Sequence, residues 1–367
     1  MPNVFTVYNC GTGFNRERTE ELIGYLGTIT AGMQAKPNSV TPQDKWMICD
    51  GPGSSPRGTN PDSRTPGSGL FRKLRGNITG HGWEQNVQDA MAIIKFVHAN
   101  SRIQTINMAG WSRGAVTCHM LANAIAADPD TRGIDINIFA ADPVAGPGNR
   151  ADPRKNTIPS NVRRYFAIVA EDEDRKIMKP VKVRMIESQS LEVHDQRVKI
   201  ITLPGEHNTG VMKGTPMGKL VWYLAHKFLT KCGTQLTGGI TLSHIEVCEC
   251  YAGIRMYMSD FRNMHGSTMG MLGRTGRGVD NDLSAHHFWV NNHHIGQFAK
   301  AFPIMGKAIT NPNLLANGGF QLQQELTMMK NNAPWTYTAL VKVGLITPPQ
   351  TQPRQGGNFL QQGYRRG

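Results

Sequence analysis

Gly110-Trp111-Ser112-Arg113-Gly114 is the segment of this chain best equipped to do chemistry. An apolar run, Ile103 to Ala109, comes before it; Ala115 to Ala127 comes after, with Val116, Met120, Leu121 and Ala124 at helical spacing. A serine at a strand-to-helix turn has a strained backbone, needs small neighbours, and projects its oxygen at the start of the helix, which suits a nucleophile. The pentapeptide alone is common, and a plain Gly-rich turn would read the same. The strand before it and the helix after it favour the reactive reading.

A serine nucleophile needs a base and a group to orient that base. His207 follows the apolar strand pattern Val198 to Leu203 in a Gly-flanked loop, where the base is expected. His119 falls inside the helix after Ser112 and reads as packing, whereas His81 falls in a long loop and could line a cleft. Two positions can supply the acid. Asp142 follows the strand Ile134 to Ala141 in an apolar Gly/Pro context that suits a buried carboxylate, and it is preferred. Asp172, in the acidic cluster after Val162 to Ala170, is the alternative; a solvated loop explains that cluster equally well.

Acyl transfer builds negative charge on a carbonyl oxygen, so fixed N–H donors are needed. The backbone N–H of Arg113, directly after the serine, is one expected donor. The loop Gly11-Thr12-Gly13 after the first strand is expected to supply the second, since glycine allows close backbone approach. This chemistry calls for no cofactor. The pairs His286-His287 and His293-His294 lack the acidic or Cys spacing of a known metal site and read as exposed polar residues, so no metal is expected. The six cysteines include no C-x-x-C pair and mostly sit in apolar runs, as buried free thiols of a reducing compartment do.

The elements that must position these residues alternate. Strands are expected at Asn3 to Cys10, Asp44 to Asp50, Ile103 to Ala109, Ile134 to Ala141, Val162 to Ala170 and Val198 to Leu203. Helices are expected at Arg18 to Thr28, Trp83 to Asn100, Ala115 to Ala127 and Lys219 to Leu229. Such alternation makes a mostly parallel sheet with flanking helices, whose chemistry gathers at the C-terminal strand ends. Residues 51 to 82 form a Gly/Pro/Ser/Arg-rich loop long enough to be a lid. After about residue 230 the strand signal fades, with helices expected at Leu242 to Phe261 and Gln321 to Met329. The expected organisation is therefore a catalytic region at 1–230, a smaller mainly helical region at 231–346 serving as lid or membrane and partner surface, and a flexible tail at 347–367.

The 367 residues carry 40 Lys and Arg against 27 Asp and Glu, a net charge of +13. At 18% charged and 39% hydrophobic residues the chain is not a disordered one. No apolar run is long enough for a transmembrane helix, and the start lacks a signal-peptide pattern. The positive charge favours anionic partners, including an anionic membrane surface; no nucleic-acid signature accompanies it, and no nucleic-acid partner is expected. Met256, Met258, Met264, Met269 and Met271 could contact acyl chains, and Arg274, Arg277, Arg365 and Arg366 could meet phosphates; core filling and a solvated face are the plainer readings.

Five segments occur in order: Tyr8-Asn9-Cys10-Gly11-Thr12-Gly13, Asp50-Gly51-Pro52-Gly53, Gly110 to Ala115, Asp142-Pro143-Val144-Ala145-Gly146 and Pro204-Gly205-Glu206-His207. Together they resemble the α/β-hydrolase domain of bacterial type VI lipase effectors, over roughly residues 3 to 215, with Ser112-Arg113-Gly114-Ala115 the most specific piece. The Asp142-Pro143 segment also resembles that of pancreatic-type lipases, where the Asp is the triad acid. After His207 the chain departs from the family pattern, reading Asn208-Thr209-Gly210-Val211, and the resemblance does not extend to the C-terminal third. The resemblance implies an α/β-hydrolase-like fold and a serine lipase or phospholipase acting on lipid or other esters. It also implies an immunity or chaperone protein as partner, and export from a bacterial cytoplasm by a signal-less secretion system into a target cell. A soluble esterase or acyltransferase with the same residues, a resident cytoplasmic protein, and a non-catalytic basic binding module on the same scaffold are the alternatives.

Overall fold

A computed structural model describes residues 3–52, 54, 83–146, 152–171, 173, 178, 180–181, 183–185, 196–265, 288–311, 313 and 319–347. Apolar, β-branched runs form seven parallel strands: β1 (Val4–Asn9), β2 (Met33–Gln34), β3 (Asp44–Cys49), β4 (Thr105–Trp111), β5 (Asp135–Ala141), β7 (Val162–Ala170) and β9 (Val198–Leu203). Their order across the sheet is β2-β3-β1-β4-β5-β7-β9. The two-residue strands β6 (Thr157–Ile158) and β8 (Arg184–Met185) pair separately. From β1 the chain moves outward to β2 and β3, then returns to form β4 on the other side of β1. That reversal opens a crevice beyond the carboxyl ends of β1 and β4, where parallel sheets bind ligands.

Both faces of the sheet are covered, so its central strands are mostly apolar. Helices α2 (Trp83–Ser101) and α3 (Arg113–Ala127) cover one face, where Ile94, Val116 and Leu121 pack on Phe5, Val7, Ile106, Met108 and Ile136. On the other face, α1 (Leu22–Thr28) and α4 (Pro216–Lys231) bury Leu22, Leu220 and Trp222 against Tyr8, Trp111 and Phe139. A buried polar ladder runs through this second core. Asn137 donates to Asn107 at 2.9 Å, and Asn107 donates to Cys232 O at 3.0 Å and to Thr234 Oγ1 at 2.9 Å. With these bonds made, polar side chains sit inside without desolvation cost left uncompensated.

The C-terminal third is helical: α5 (His244–His265), α6 (Asn292–Ala301), α7 (Pro303–Thr310), α8 (Phe320–Asn332) and α9 (Pro334–Lys342). It builds its own core from Phe288, Phe298, Phe302, Met305, Met329 and Leu340. Helix α5 joins the two regions, with Val247 and Tyr251 in the sheet's core and Cys248 and Ala252 in the helical one. Among the described residues no helix is long and apolar enough to cross a membrane.

Three differences from the sequence expectations have local causes. The first helix starts at Leu22 rather than Arg18, because the buried Glu21 carboxylate accepts from Ile23 N and Gly24 N and caps it there. The fourth extends to 216–231, started by Thr215 as cap and Pro216 in the first turn. Helix α9 escaped the sequence reading because it is short, starts at a Pro just after α8, and carries β-branched and aromatic residues that form helices less readily. Of the loop 51–82, residues 53 and 55–82 lie outside the described residues, as do His81, Met269, Met271, Arg274, Arg277, His286, His287 and the tail from 348.

Candidate active site

Ser112 stands at the junction of β4 and α3, 4% exposed, with φ 57° and ψ −124°. A non-glycine residue in this region carries strain of about 1–3 kcal/mol and persists only where its surroundings fix it. Here they do. Ser112 N donates to Ala141 O at 2.9 Å, and Ser112 O accepts from Val116 N and Val144 N, both at 3.3 Å. The flanking glycines are required by contact. A Cβ on Gly110 would strike the backbone of Gly114, and one on Gly114 would strike the carbonyls of Asn9 and Cys10 at the end of β1. The Ser112 side chain makes no capping bond to its own helix.

Asp142 follows β5 with φ 39°, a second strained position. Its N–H donates to Ile168 O at 2.7 Å, and its Oδ1 accepts from Ala170 N at 3.1 Å. Its Oδ2 accepts from His207 Nδ1 at 2.5 Å, with both residues buried. A carboxylate on Nδ1 fixes the tautomer and leaves Nε2 as the proton-accepting nitrogen. The His207 ring lies beside the Trp111 indole, centroids 5.3 Å apart, and Phe14 packs edge-on to that indole at 4.7 Å. His207 and Asp142 are thus brought together next to the residue that precedes Ser112. Among the described residues no hydrogen bond joins Ser112 Oγ to His207. The alternative acid, Asp172, lies outside the described residues.

The acidic cluster contributes a residue that sequence reasoning missed. Glu173 Oε2 accepts from His207 N at 3.1 Å and is buried. Four acidic residues in a row gave no sign of which would turn inward.

Of the expected N–H donors, Arg113 is the first residue of α3, so its N–H has no intrahelical acceptor. The first-strand loop lies close by, since a Cβ on Gly11 would strike the Trp111 ring. Gly13 N donates to Pro52 O at 3.2 Å, which commits that amide elsewhere; the amides of Gly11 and Thr12 bond to nothing among the described residues. The loop is pinned by Arg16, whose Nε and Nη2 grip the two oxygens of Asp50 at 3.1 and 3.0 Å. Arg113, 7% exposed as a residue, donates from Nη1 to Thr12 Oγ1 at 2.9 Å. Its Nε and the Trp111 indole nitrogen are buried without partners among the described residues.

The other candidates do different work. His119 is buried in α3 between Lys155 O at 2.9 Å and the Tyr165 hydroxyl at 3.1 Å, and burial holds its pKa down at about 4. All six cysteines are buried free thiols, and burial pushes Cys49 and Cys118 up to about 12, so those two are not thiolates at neutral pH. His293 and His294 were expected to be exposed; the structure corrects this. His294 is buried and stacked on Tyr251 at 4.5 Å, while His293 accepts from or donates to the Tyr251 hydroxyl at 2.9 Å. The sequence pattern could not show it, because Tyr251, distant in the chain, stacks on His294 while the nearby Phe288 and Trp289 complete the enclosure. Among the described residues no three metal-binding side chains cluster.

Seven parallel strands, with a strained serine after the central one and a histidine after the last, make the α/β-hydrolase fold. No protein-family model matches the sequence, and no curated protein matches it. Solved structures do align with it. One is an uncharacterized protein from Pseudomonas aeruginosa, at 13% identity and TM-score 0.42, covering 88% of this chain and 63% of that one. The chain thus spans less than two thirds of that protein's length. A Tle1 effector bound to the VgrG spike of a type 6 secretion system aligns at 14% identity and TM-score 0.34, over 84% of this chain and 80% of its own. The peroxisomal α/β-hydrolase Lpx1 of Saccharomyces cerevisiae aligns at 12% identity and TM-score 0.34, over 75% of this chain and 86% of its own. Similarity this distant adds nothing to the strand order itself.

Proposed function

We propose that this chain is a serine hydrolase of carboxylic esters, of the lipase or phospholipase type. The observation that carries this reading is the buried hydrogen bond from His207 to Asp142 beside the strained turn that bears Ser112. In the proposed cycle, Ser112 Oγ attacks the ester carbonyl carbon while His207 Nε2 takes its proton. Asp142 holds the imidazole tautomer and stabilises the imidazolium. The carbonyl oxygen, now negative, is received by the Arg113 N–H and by the Gly11 and Thr12 amides. His207 returns the proton to the leaving alcohol; water, deprotonated by the same nitrogen, then releases the acid from the acyl-enzyme.

The lipid preference rests on the five-segment resemblance to type VI lipase effectors and on the net charge of +13, which would draw the chain to anionic bilayers. On the same resemblance we assign it a route out of a bacterial cell and a dedicated partner protein there. The test is fatty-acid release from liposomes of varied anionic lipid content, alongside cleavage of a short-chain ester, by wild type and Ser112→Ala. Release that rises with anionic lipid and vanishes in the variant supports the reading. Short-ester cleavage without lipid release contradicts the lipid assignment, and turnover that survives in Ser112→Ala contradicts the hydrolase assignment.

A further inference from the structure

A guanidinium is only ever a donor, so in the bond from Arg113 Nη1 to Thr12 Oγ1 the threonine oxygen must accept. The threonine's own proton is then not used in that bond, and no acceptor takes it among the described residues. Three features fix the guanidinium that sets this orientation. Arg113 is the root of α3, directly after Ser112. Trp83 Nε1 donates to the Arg113 carbonyl at 3.1 Å. Gly146, with φ +75°, leaves room for the guanidinium where a Cβ would come within 2.7 Å of Nη2.

The charge is also unusual in being buried with no carboxylate beside it among the described residues, and burial alone lowers its pKa. Burying an unpaired cation costs stability, so the position calls for a reason. A cation that donates to a hydroxyl oxygen polarises the O–H and makes it a stronger donor. Thr12 stands in the loop whose backbone already faces the serine turn, one residue beyond the glycine that touches Trp111.

We propose that the Thr12 hydroxyl is an additional oxyanion donor, and that Arg113 is the positioning residue that aims and polarises it. The inference rests on the hydrolase reading above, with the negative charge developing at the carbonyl oxygen of a Ser112 adduct. No proton is transferred: the Thr12 O–H keeps its proton and shares it with the oxyanion, while Arg113 stays charged. The residue after the nucleophile therefore acts twice, by its N–H directly and by its side chain through Thr12.

The experiment follows the rate at which an alkyl fluorophosphonate modifies Ser112. This reaction builds charge on a phosphoryl oxygen in the same cradle and needs no knowledge of the natural substrate. It compares wild type, Thr12→Val, Thr12→Ser, Arg113→Met and the Thr12→Val/Arg113→Met double variant, with the first-order modification step separated from reversible binding. Thr12→Val keeps the shape and loses the donor, so the modification step is expected to slow about 10²-fold with reversible binding unchanged; the melting temperature should fall, because Arg113 Nη1 loses its acceptor, and rates are compared below the onset of unfolding. Thr12→Ser should restore most of that rate. Arg113→Met should slow the step when Thr12 is present and add nothing in the Thr12→Val background.

A Thr12→Val rate equal to wild type would overturn the proposal while leaving the hydrolase reading intact. So would equal Arg113→Met losses in both backgrounds, which would mean that Arg113 acts without Thr12. Should Thr12→Val fail to fold, Thr12→Ala supplies the same comparison. A wild-type chain that fluorophosphonate leaves unmodified at Ser112 would overturn the hydrolase reading, and this inference with it.

Discussion

His207 at the sheet edge and His294 in the helical region are both buried, but they meet different surroundings. His207 has a carboxylate on Nδ1, a second carboxylate on its backbone N–H, and the strained Ser112 turn nearby. His294 has aromatic rings: Tyr251 stacked at 4.5 Å, with Phe288 and Trp289 at 5.4 and 5.2 Å. Its Nε2 has no partner among the described residues, and burial holds its pKa down at about 3. An imidazole with a carboxylate can accept a proton and keep it in place. One without is held neutral and serves as packing, at the price of sensitivity to acid. The same residue type thus reads as a base in one region and as a joint in the other.

The comparison breaks most sharply at the carboxylate. Replacing Asp142 by Asn should lower kcat on a short-chain ester by about 10⁴-fold, because the imidazole is then held in the wrong tautomer. Stability, measured by denaturant unfolding, should change far less. A loss that instead followed Asp172→Asn would move the acid to the neighbouring loop. Next in size is the turn itself. Gly114→Ala would drive a methyl into the carbonyls of Asn9 and Cys10, and should destabilise by about 1–3 kcal/mol or more. A chemical melt checks this, and an unchanged midpoint would mean that the β1 end can retreat.

The helical region sharpens the other half of the contrast through pH. His293 and His294 have pKa values lowered by burial to about 4 and about 3, with Lys199, Lys227, Lys300 and Arg255 adding repulsion. In the unfolded chain both would titrate near 6.5. Their contribution to stability is therefore fully present above that pH and falls as the pH drops towards the folded values, by at most about 1.4 kcal/mol per pH unit for each histidine. Stability of the helical region, followed by tryptophan fluorescence between pH 7 and 4, should decline accordingly. His294→Phe should flatten the slope, and an unchanged slope would contradict the burial argument. The smallest effect is expected at Glu173, where Ala removes the carboxylate that accepts from His207 N. That should cost about 1 kcal/mol of stability and a modest part of kcat, read in the same assays.

Much of the sheet was legible because parallel strands buried on two faces are written as mostly apolar runs. Thr105–Trp111 and Asp135–Ala141 are buried along almost their whole length, while Val162–Ala170 and the edge strand Val198–Leu203 keep a recognisable run despite exposed Arg163, Arg164 and Lys199. That Ser112, Asp142 and His207 lie at the ends of strands was legible because each follows such a run, and loop residues at strand ends are few. The inward turn of Glu173 and the Arg113-to-Thr12 bond were not, since they depend on how loops from different strands meet. The burial of His294 was illegible for the same reason: Tyr251, which stacks on it, comes from helix α5. The two-residue strands β2, β6 and β8 carry too few residues to show any period.

The most direct measurement is kcat/KM for Ser112→Ala, His207→Ala and the double variant on one short-chain ester. If serine and histidine act as one unit, each single variant should lose about 10⁵- to 10⁶-fold and the double variant no more than either. Losses that multiply in the double variant, or a His207→Ala enzyme that keeps its turnover, would contradict a shared proton path between them.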